Sequence, residues 1–187
     1  MIEIIADYIQ NILTTSAYVK KDEMNNYDEI INGSYSVINT QINKNLCING
    51  QAILDKDVIV QKNMTVNGRL VSQDVNFESD LTVNGTAFLN GTKIAGNAKF
   101  RGNLNAKNSE LLNPIEILSD KSAFDNCKTK NLIIKELPSK KIVQHVKLIN
   151  NTEIAGDIIF NSGNGEVYCD ATSRIYGQII GGTLISG

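Results

Sequence analysis

Histidine occurs once in this chain, at His145, and tryptophan not at all, so a metal cluster built on paired imidazoles is excluded from the outset. Cysteine is nearly as sparse. Cys47, Cys127 and Cys169 are odd in number, far apart and without metal-ligand spacing, which reads as reduced thiols in a cytoplasmic protein. No apolar run approaches the ~18 residues that a membrane-spanning helix needs. The opening Met1 to Asp7 lacks a basic lead and carries acids inside its apolar stretch, so a secretory signal peptide is not expected. Charge of one sign is also missing: 18 basic residues stand against 20 acidic ones, a net charge of -2, which argues against nucleic acid or an anionic membrane as the main partner. Two prolines and fourteen glycines among 187 residues suit a β structure rich in corners.

What the chain does have is a repeat. Leu81-Thr82-Val83-Asn84-Gly85 is preceded by Met64-Thr65-Val66-Asn67-Gly68, Leu46-Cys47-Ile48-Asn49-Gly50 and Ile31-Asn32-Gly33, and followed by Ala98-Lys99-Phe100-Arg101-Gly102. The glycines step by 17, 18, 17 and 17 residues, and the same step reaches Ile115 to Ser119 and Leu132 to Glu136, where the glycine is lost and the apolar pair is kept. Alternating apolar residues at such a period are the signature of a solenoid.

Within each period, apolar residues two apart form short strand beats separated by polar or glycine corners. Two residues before the glycine position lie Ile31, Ile48, Val66, Val83, Phe100, Ile117 and Ile134; two after it lie Tyr35, Ala52, Leu70, Ala87 and Leu104; further on lie Ile42, Val60, Phe77, Ile94 and Leu111. These columns predict a single-stranded, three-faced parallel β-helix of ~17-residue coils, about eight coils and roughly 40 Å long at ~4.8 Å per coil. One coil alone buries too little apolar surface to offset the entropy of ordering it, so stability has to accumulate by stacking. Asn32, Asn49, Asn67 and Asn84 are placed to form a hydrogen-bonded ladder at one corner, and the extra residue of the second step falls at the polar corner Asp55-Lys56-Asp57.

Taken in order, residues 1–20 read as an amphipathic helix with Ile2, Ile5, Ile9 and Ile12 on one face, able to cover the first coil or to pair with a second copy. Its polar side lacks Lys and Arg, which disfavours a membrane role. Residues 21–29 read as a polar linker and 30–187 as the β-helix. The repeat loosens over 113–150: Ser119 to Lys130 offers the interior only Ala123, Phe124 and Cys127, and Pro138 to Lys141 forces a bulged corner. It returns at Thr152/Ile154 before Gly156 and Ser173/Ile175 before Gly177, with a corner loop at 161–166. No charged side chain follows Arg174, so Ile175, Ile179, Ile180, Leu184 and Ile185 are the candidate self-association residues, together with Ile2, Ile5, Ile9 and Ile12.

The Ile-x-Gly-x-Ile beats Ile154-Ala155-Gly156-Asp157-Ile158 and Ile175-Tyr176-Gly177-Gln178-Ile179, within compact coils of this length, resemble the bactofilins, polymer-forming bacterial cytoskeletal proteins. The resemblance implies nucleotide-independent self-association into a homo-oligomer or polymer, scaffolding of other proteins on the solenoid wall, no cofactor and no catalysis. Two readings stand beside it. A hexapeptide-repeat acyltransferase would need strict 18-residue coils and a histidine base. Here the sixfold beat Ile48, Leu54, Val60, Val66 lasts one coil, and His145 is turned outward with no acid partner evident. A phage or viral fibre shaft shares the Leu-Thr-Val-Asn-Gly phrase, but three matched columns favour an interior closed by one chain. The corner carboxylates Asp55/Asp57 and Asp120/Asp125 read as solvated, with weak calcium binding as the rival.

Overall fold

The computed structural model describes residues 16–19, 27–139 and 142–186. They form one continuous sheet of 21 strand segments wound into a parallel β-solenoid of about nine turns, all-β and without a helix. Consecutive coils pair in register: Ile31 lies opposite Ile48, Ile48 opposite Val66, Val66 opposite Val83, Val83 opposite Phe100, and so on through Ile117 and Ile134 to Phe160. Every residue of that column from Ile31 to Phe160 is buried, as are Ala52, Leu70, Ala87 and Leu104 in the second column and Ile42 to Leu111 in the third. Tyr35, at the head of the second column, is half-buried against the same core. Alanine and leucine alternate down the second column, and a small residue under a large one lets the layers interdigitate.

The register is enforced at one corner by glycine. Gly33, Gly50, Gly68, Gly85 and Gly102 have φ of 112°, 148°, 146°, 146° and 135°, a region that L residues with a Cβ rarely enter. A Cβ on Gly85 would lie 1.9 Å from the carbonyl oxygen of Gly68, and one on Gly68 would lie 2.0 Å from that of Gly50. Each coil therefore rests its backbone in the place the next side chain would occupy. Beside the glycines runs the expected amide ladder. Asn49 Nδ2 donates to Asn32 Oδ1 at 2.9 Å, Asn67 to Asn49 at 2.8 Å and Asn84 to Asn67 at 2.7 Å, and the Arg101 guanidinium closes it on Asn84 Oδ1 at 3.0 Å. A second corner is ordered by Asp28, Asn45, Asn63, Asp80 and Asn97. The Asp80 carboxylate accepts from the Asn97 backbone at 2.8 Å, and Asp28 accepts from Asn45 at 2.8 Å. A further set of turns sits in the left-handed region at Asn39, Asp74, Gly91, Asn108, Asn126 and Asn150, with the added residue of the Leu46–Val60 strand absorbed at Lys56/Asp57. Asn and Asp bear that geometry at lower cost than other side-chain-bearing residues.

Four features depart from the sequence expectation. In the coil starting at Ile115, Ser122 and Phe124 face inward and Ala123 outward, because the strand Lys121–Asp125 pairs Ser122 with Leu104 and so fixes the opposite parity. Inward hydroxyls also form a fourth column that apolar counting passes over. Ser72 Oγ and Thr92 Oγ1 lie 2.8 Å apart, the Thr92 amide donates to Ser109 Oγ at 3.1 Å and the Cys127 amide to Thr152 Oγ1 at 3.2 Å. Gly156 and Gly177 do not continue the glycine column. Surplus residues between Ile134 and Gln144 carry the next core partner of Ile134 to Phe160, and Gly156 belongs to the corner that earlier holds Gly96. Lastly, Ser16–Val19, placed by sequence in the N-terminal helical segment, is a strand running antiparallel to the first coil, with Ser16 opposite Gly33 and Val19 opposite Ile30. The rest of the amphipathic helix expected over 1–20, with its Ile2, Ile5, Ile9 and Ile12, lies outside the described residues.

Replacing Gly85 by alanine is expected to cost about 3 kcal/mol or more in urea unfolding, since both φ and the close carbonyl oppose a Cβ. Gly163→Ala, at φ 69° with nothing within 4 Å of the added carbon, is expected to cost about 1 kcal/mol. Equal losses at the two positions would show that the glycine column does not set the coil spacing.

Candidate association face at the C-terminal coil

The last strands, Ile179–Ile180 and Gly182–Ser186, pair back onto Ile158–Phe160 and Gly165–Cys169. Among the described residues no strand pairs with their other edge. Register separates the sequence-predicted residues here into two kinds. Ile175, Ile179 and Leu184 continue inward columns, below Ile154, Ile158 and Val167 respectively. Ile175 and Ile179 are half-buried against the core, while Leu184 is 57% exposed. Ile180 and Ile185 continue outward columns instead, beside Ile159 and Tyr168, and belong to the wall. The face is thus an unfinished core layer edged by apolar wall residues. Exposed Tyr168 and Tyr176 join that edge and were missed by sequence. Tyr168 stands between Lys147 and Ile185 in its own outward column, and a neighbouring outward column likewise turns apolar toward this end, from Lys99 and Glu116 to Ile133, Ile159 and Ile180.

Asp170 holds the corner beneath this face. Its Oδ2 accepts the Asn150 amide of the preceding coil at 2.8 Å, while Oδ1 accepts from the Thr172 and Ser173 amides at 3.1 and 2.9 Å and the Thr172 hydroxyl at 2.9 Å. These donors, the Asn150 amide foremost, hold the carboxyl well below the usual carboxylate range. The Thr152 amide donates in turn to Ser173 Oγ at 3.1 Å, tying the same corner to the buried hydroxyl column.

His145 is outward and exposed, as expected, but it has an acid partner: Glu166 follows it in the next coil and the Nδ1 to Oε2 distance is 3.2 Å. Stacking brings together residues 21 positions apart, which the linear sequence hides. Lys121 precedes His145 in the same column, and all three lie on the outer wall. The other carboxylates named from sequence are dispersed: Asp125 pairs with Lys107 at 3.7 Å and accepts from Asn150 Nδ2 at 2.8 Å. Among the described residues no group of three or more His, Cys, Asp or Glu side chains could hold a metal ion, and no helix is long and apolar enough to cross a membrane. No family model, curated protein or solved structure matches the chain.

The three cysteines are free thiols. Burial pushes Cys127 up to about 11, and raises Cys47 and Cys169 less. Alkylation of the folded protein at neutral pH is expected to label half-buried Cys169 first and to reach Cys127 only after denaturation, as read by peptide mass spectrometry. Because the folded Asp170 carboxyl titrates lower than in the unfolded chain, its stabilising effect is present above about pH 4 and is lost as the pH falls further. Asp170→Ala should therefore lower the melting temperature at pH 7 and narrow the gap to the parent protein in strong acid.

Proposed function

We propose that this is a non-enzymatic structural or scaffolding protein that self-associates through the C-terminal coil of its solenoid, in the manner the bactofilin resemblance implies. One observation carries the reading: the inward column of buried residues Ala52, Leu70, Ala87, Leu104, Ser122, Val146 and Val167 ends at exposed Leu184, on a strand with a free hydrogen-bonding edge among the described residues. A second copy would complete both the core layer and the backbone pairing. Such edges are self-complementary by nature.

The two ends differ. Ser16–Val19 occupies the edge of residues 30–33 at the first coil, whereas the last coil carries no such cover among the described residues. An assembly with one adhesive end closes as a two-fold dimer, and an adhesive second end would extend it into a filament. The coil cross-section is read as three-faced, from strand segments such as Ala98–Arg101, Leu104–Lys107 and Glu110–Leu111 within one turn. Reduced thiols agree with a cytoplasmic setting. The walls are left for other proteins.

Sedimentation over a range of concentrations is expected to show a dimer or larger species for the parent chain, and monomer for Leu184→Asp. The substituted side chain is exposed, so the monomer should keep its unfolding transition. A parent protein that stays monomeric at every concentration would remove the proposal, and electron microscopy of the same samples distinguishes dimers from filaments.

A further inference from the structure

One wall of the solenoid alternates in charge from coil to coil. The short strands Lys93–Ile94, Glu110–Leu111, Lys128–Thr129, Glu153–Ile154 and Arg174–Ile175 stack in register, so Lys93, Glu110, Lys128, Glu153 and Arg174 form one outward column that reads basic, acidic, basic, acidic, basic. Elsewhere on the surface, opposite charges in neighbouring coils close on each other: Lys107 on Asp125 at 3.7 Å, Lys135 on Glu116 at 3.5 Å and His145 on Glu166 at 3.2 Å. The five residues of this column do not. None of them makes an ion pair or a side-chain hydrogen bond with another described residue. Two residues further along the same wall runs a second outward row, in which Leu112 is 39% and Tyr176 64% exposed. The amides of Leu112, Ala155 and Tyr176 still bond to the coil before, so this row keeps the coil spacing.

We infer that this wall binds the same wall of a second copy, turned end for end about a two-fold axis parallel to the strands. Such an axis keeps each row over its own row and reverses the order of the coils, so the registers are discrete. With Lys128 opposite Glu153 of the second copy, Glu110 meets Arg174, each pair occurs twice, and Leu112 meets Tyr176. A shift of one coil either way sets like charges opposite. A shift of two coils toward Lys93 restores charge pairing but faces Leu112 with Lys130 and leaves Tyr176 without a counterpart. The charged row and the apolar row therefore agree in one register. Exposed ion pairs are individually weak, and the contact spans three coil steps, about 14 Å. Two single chains are thus expected to part at about 150 mM salt, where the screening length is about 8 Å, and to join at about 10 mM, where it is about 30 Å. The contact lies apart from Leu184 and its strand edge, and it joins copies side by side where that edge joins them end to end.

Sedimentation of the Leu184→Asp chain, in which end-to-end association is disabled, reads the lateral contact by itself. The chain is expected to be monomeric at about 150 mM salt and dimeric at about 10 mM. Adding Glu110→Arg is expected to weaken the low-salt dimer about tenfold or more. The swap Glu110→Arg/Arg174→Glu is expected to recover most of that loss, because it re-forms both pairs across the axis. Both side chains are exposed, so each variant should keep the parent's unfolding transition. A chain that is monomeric at both salt concentrations overturns the inference, as does a low-salt dimer indifferent to Glu110→Arg or one that the swap does not recover. End-to-end association is judged on the parent protein at ordinary salt, so either reading can fail without the other.

Discussion

A backbone carbonyl occupying the place of a missing side chain is the constraint on which this solenoid depends. At Gly33, Gly50, Gly68, Gly85 and Gly102 the chain turns through positive φ, and from Gly50 onward each glycine lies against the carbonyl of the one before it. No other residue allows so close an approach, so the coils meet in one register at that corner. Once that register is set, Ile48, Val66, Val83 and Phe100 fall over one another inside, and a slip of one residue would turn each of them out. The asparagine ladder beside the glycines reinforces the choice through side-chain amides that have their best partners only in register.

Beyond Gly102 the constraint relaxes, and the fold shows it. The step stays at 17 residues from Ala98 to Ile115 and from Ile115 to Leu132, and lengthens after Ile134: the Asn131 side chain receives the amide of Asp157, 26 residues on, and the Asn151 amide donates to Thr172, 21 on. What replaces the glycine corner is a set of specific polar bonds. Gln144 reaches from its buried side chain to the carbonyls of Ser119 and Lys135 at 2.9 and 2.8 Å, closing the interior behind the inserted residues. Asp170 and the Thr152/Ser173 pair do the same for the final corners.

A solenoid's stability and its adhesiveness share a cause. Each coil is stabilised by its neighbours above and below, so the first and last coils are short of a neighbour by construction. The first is partly supplied by Ser16–Val19, pairing antiparallel where every other pairing is parallel. The last presents Leu184 and an unpaired strand edge among the described residues. Difference between the ends therefore follows from local pairing, without any specialised binding motif, and the proposed self-association draws on the same core column that holds the molecule together.

The strand period, the glycine corner, the amide ladder and the interior columns through Ile134 were legible in the amino-acid sequence, because period-two alternation and a near-constant step act through neighbours in the chain. The hydroxyl column of Ser72, Thr92, Ser109 and Thr152 was not, since a buried Ser or Thr looks like a surface residue until its partner in the next coil is known. Nor was the parity of Ala123, the pairing of His145 with Glu166, or the division of Ile180 and Ile185 from Leu184, all of which depend on which coil lies adjacent. By itself the sequence determined that the chain winds and what lines its interior. Only the tertiary structure decided which residues meet across coils, because insertions after Ile134 change the count between neighbours while the stacking of strands restores their alignment.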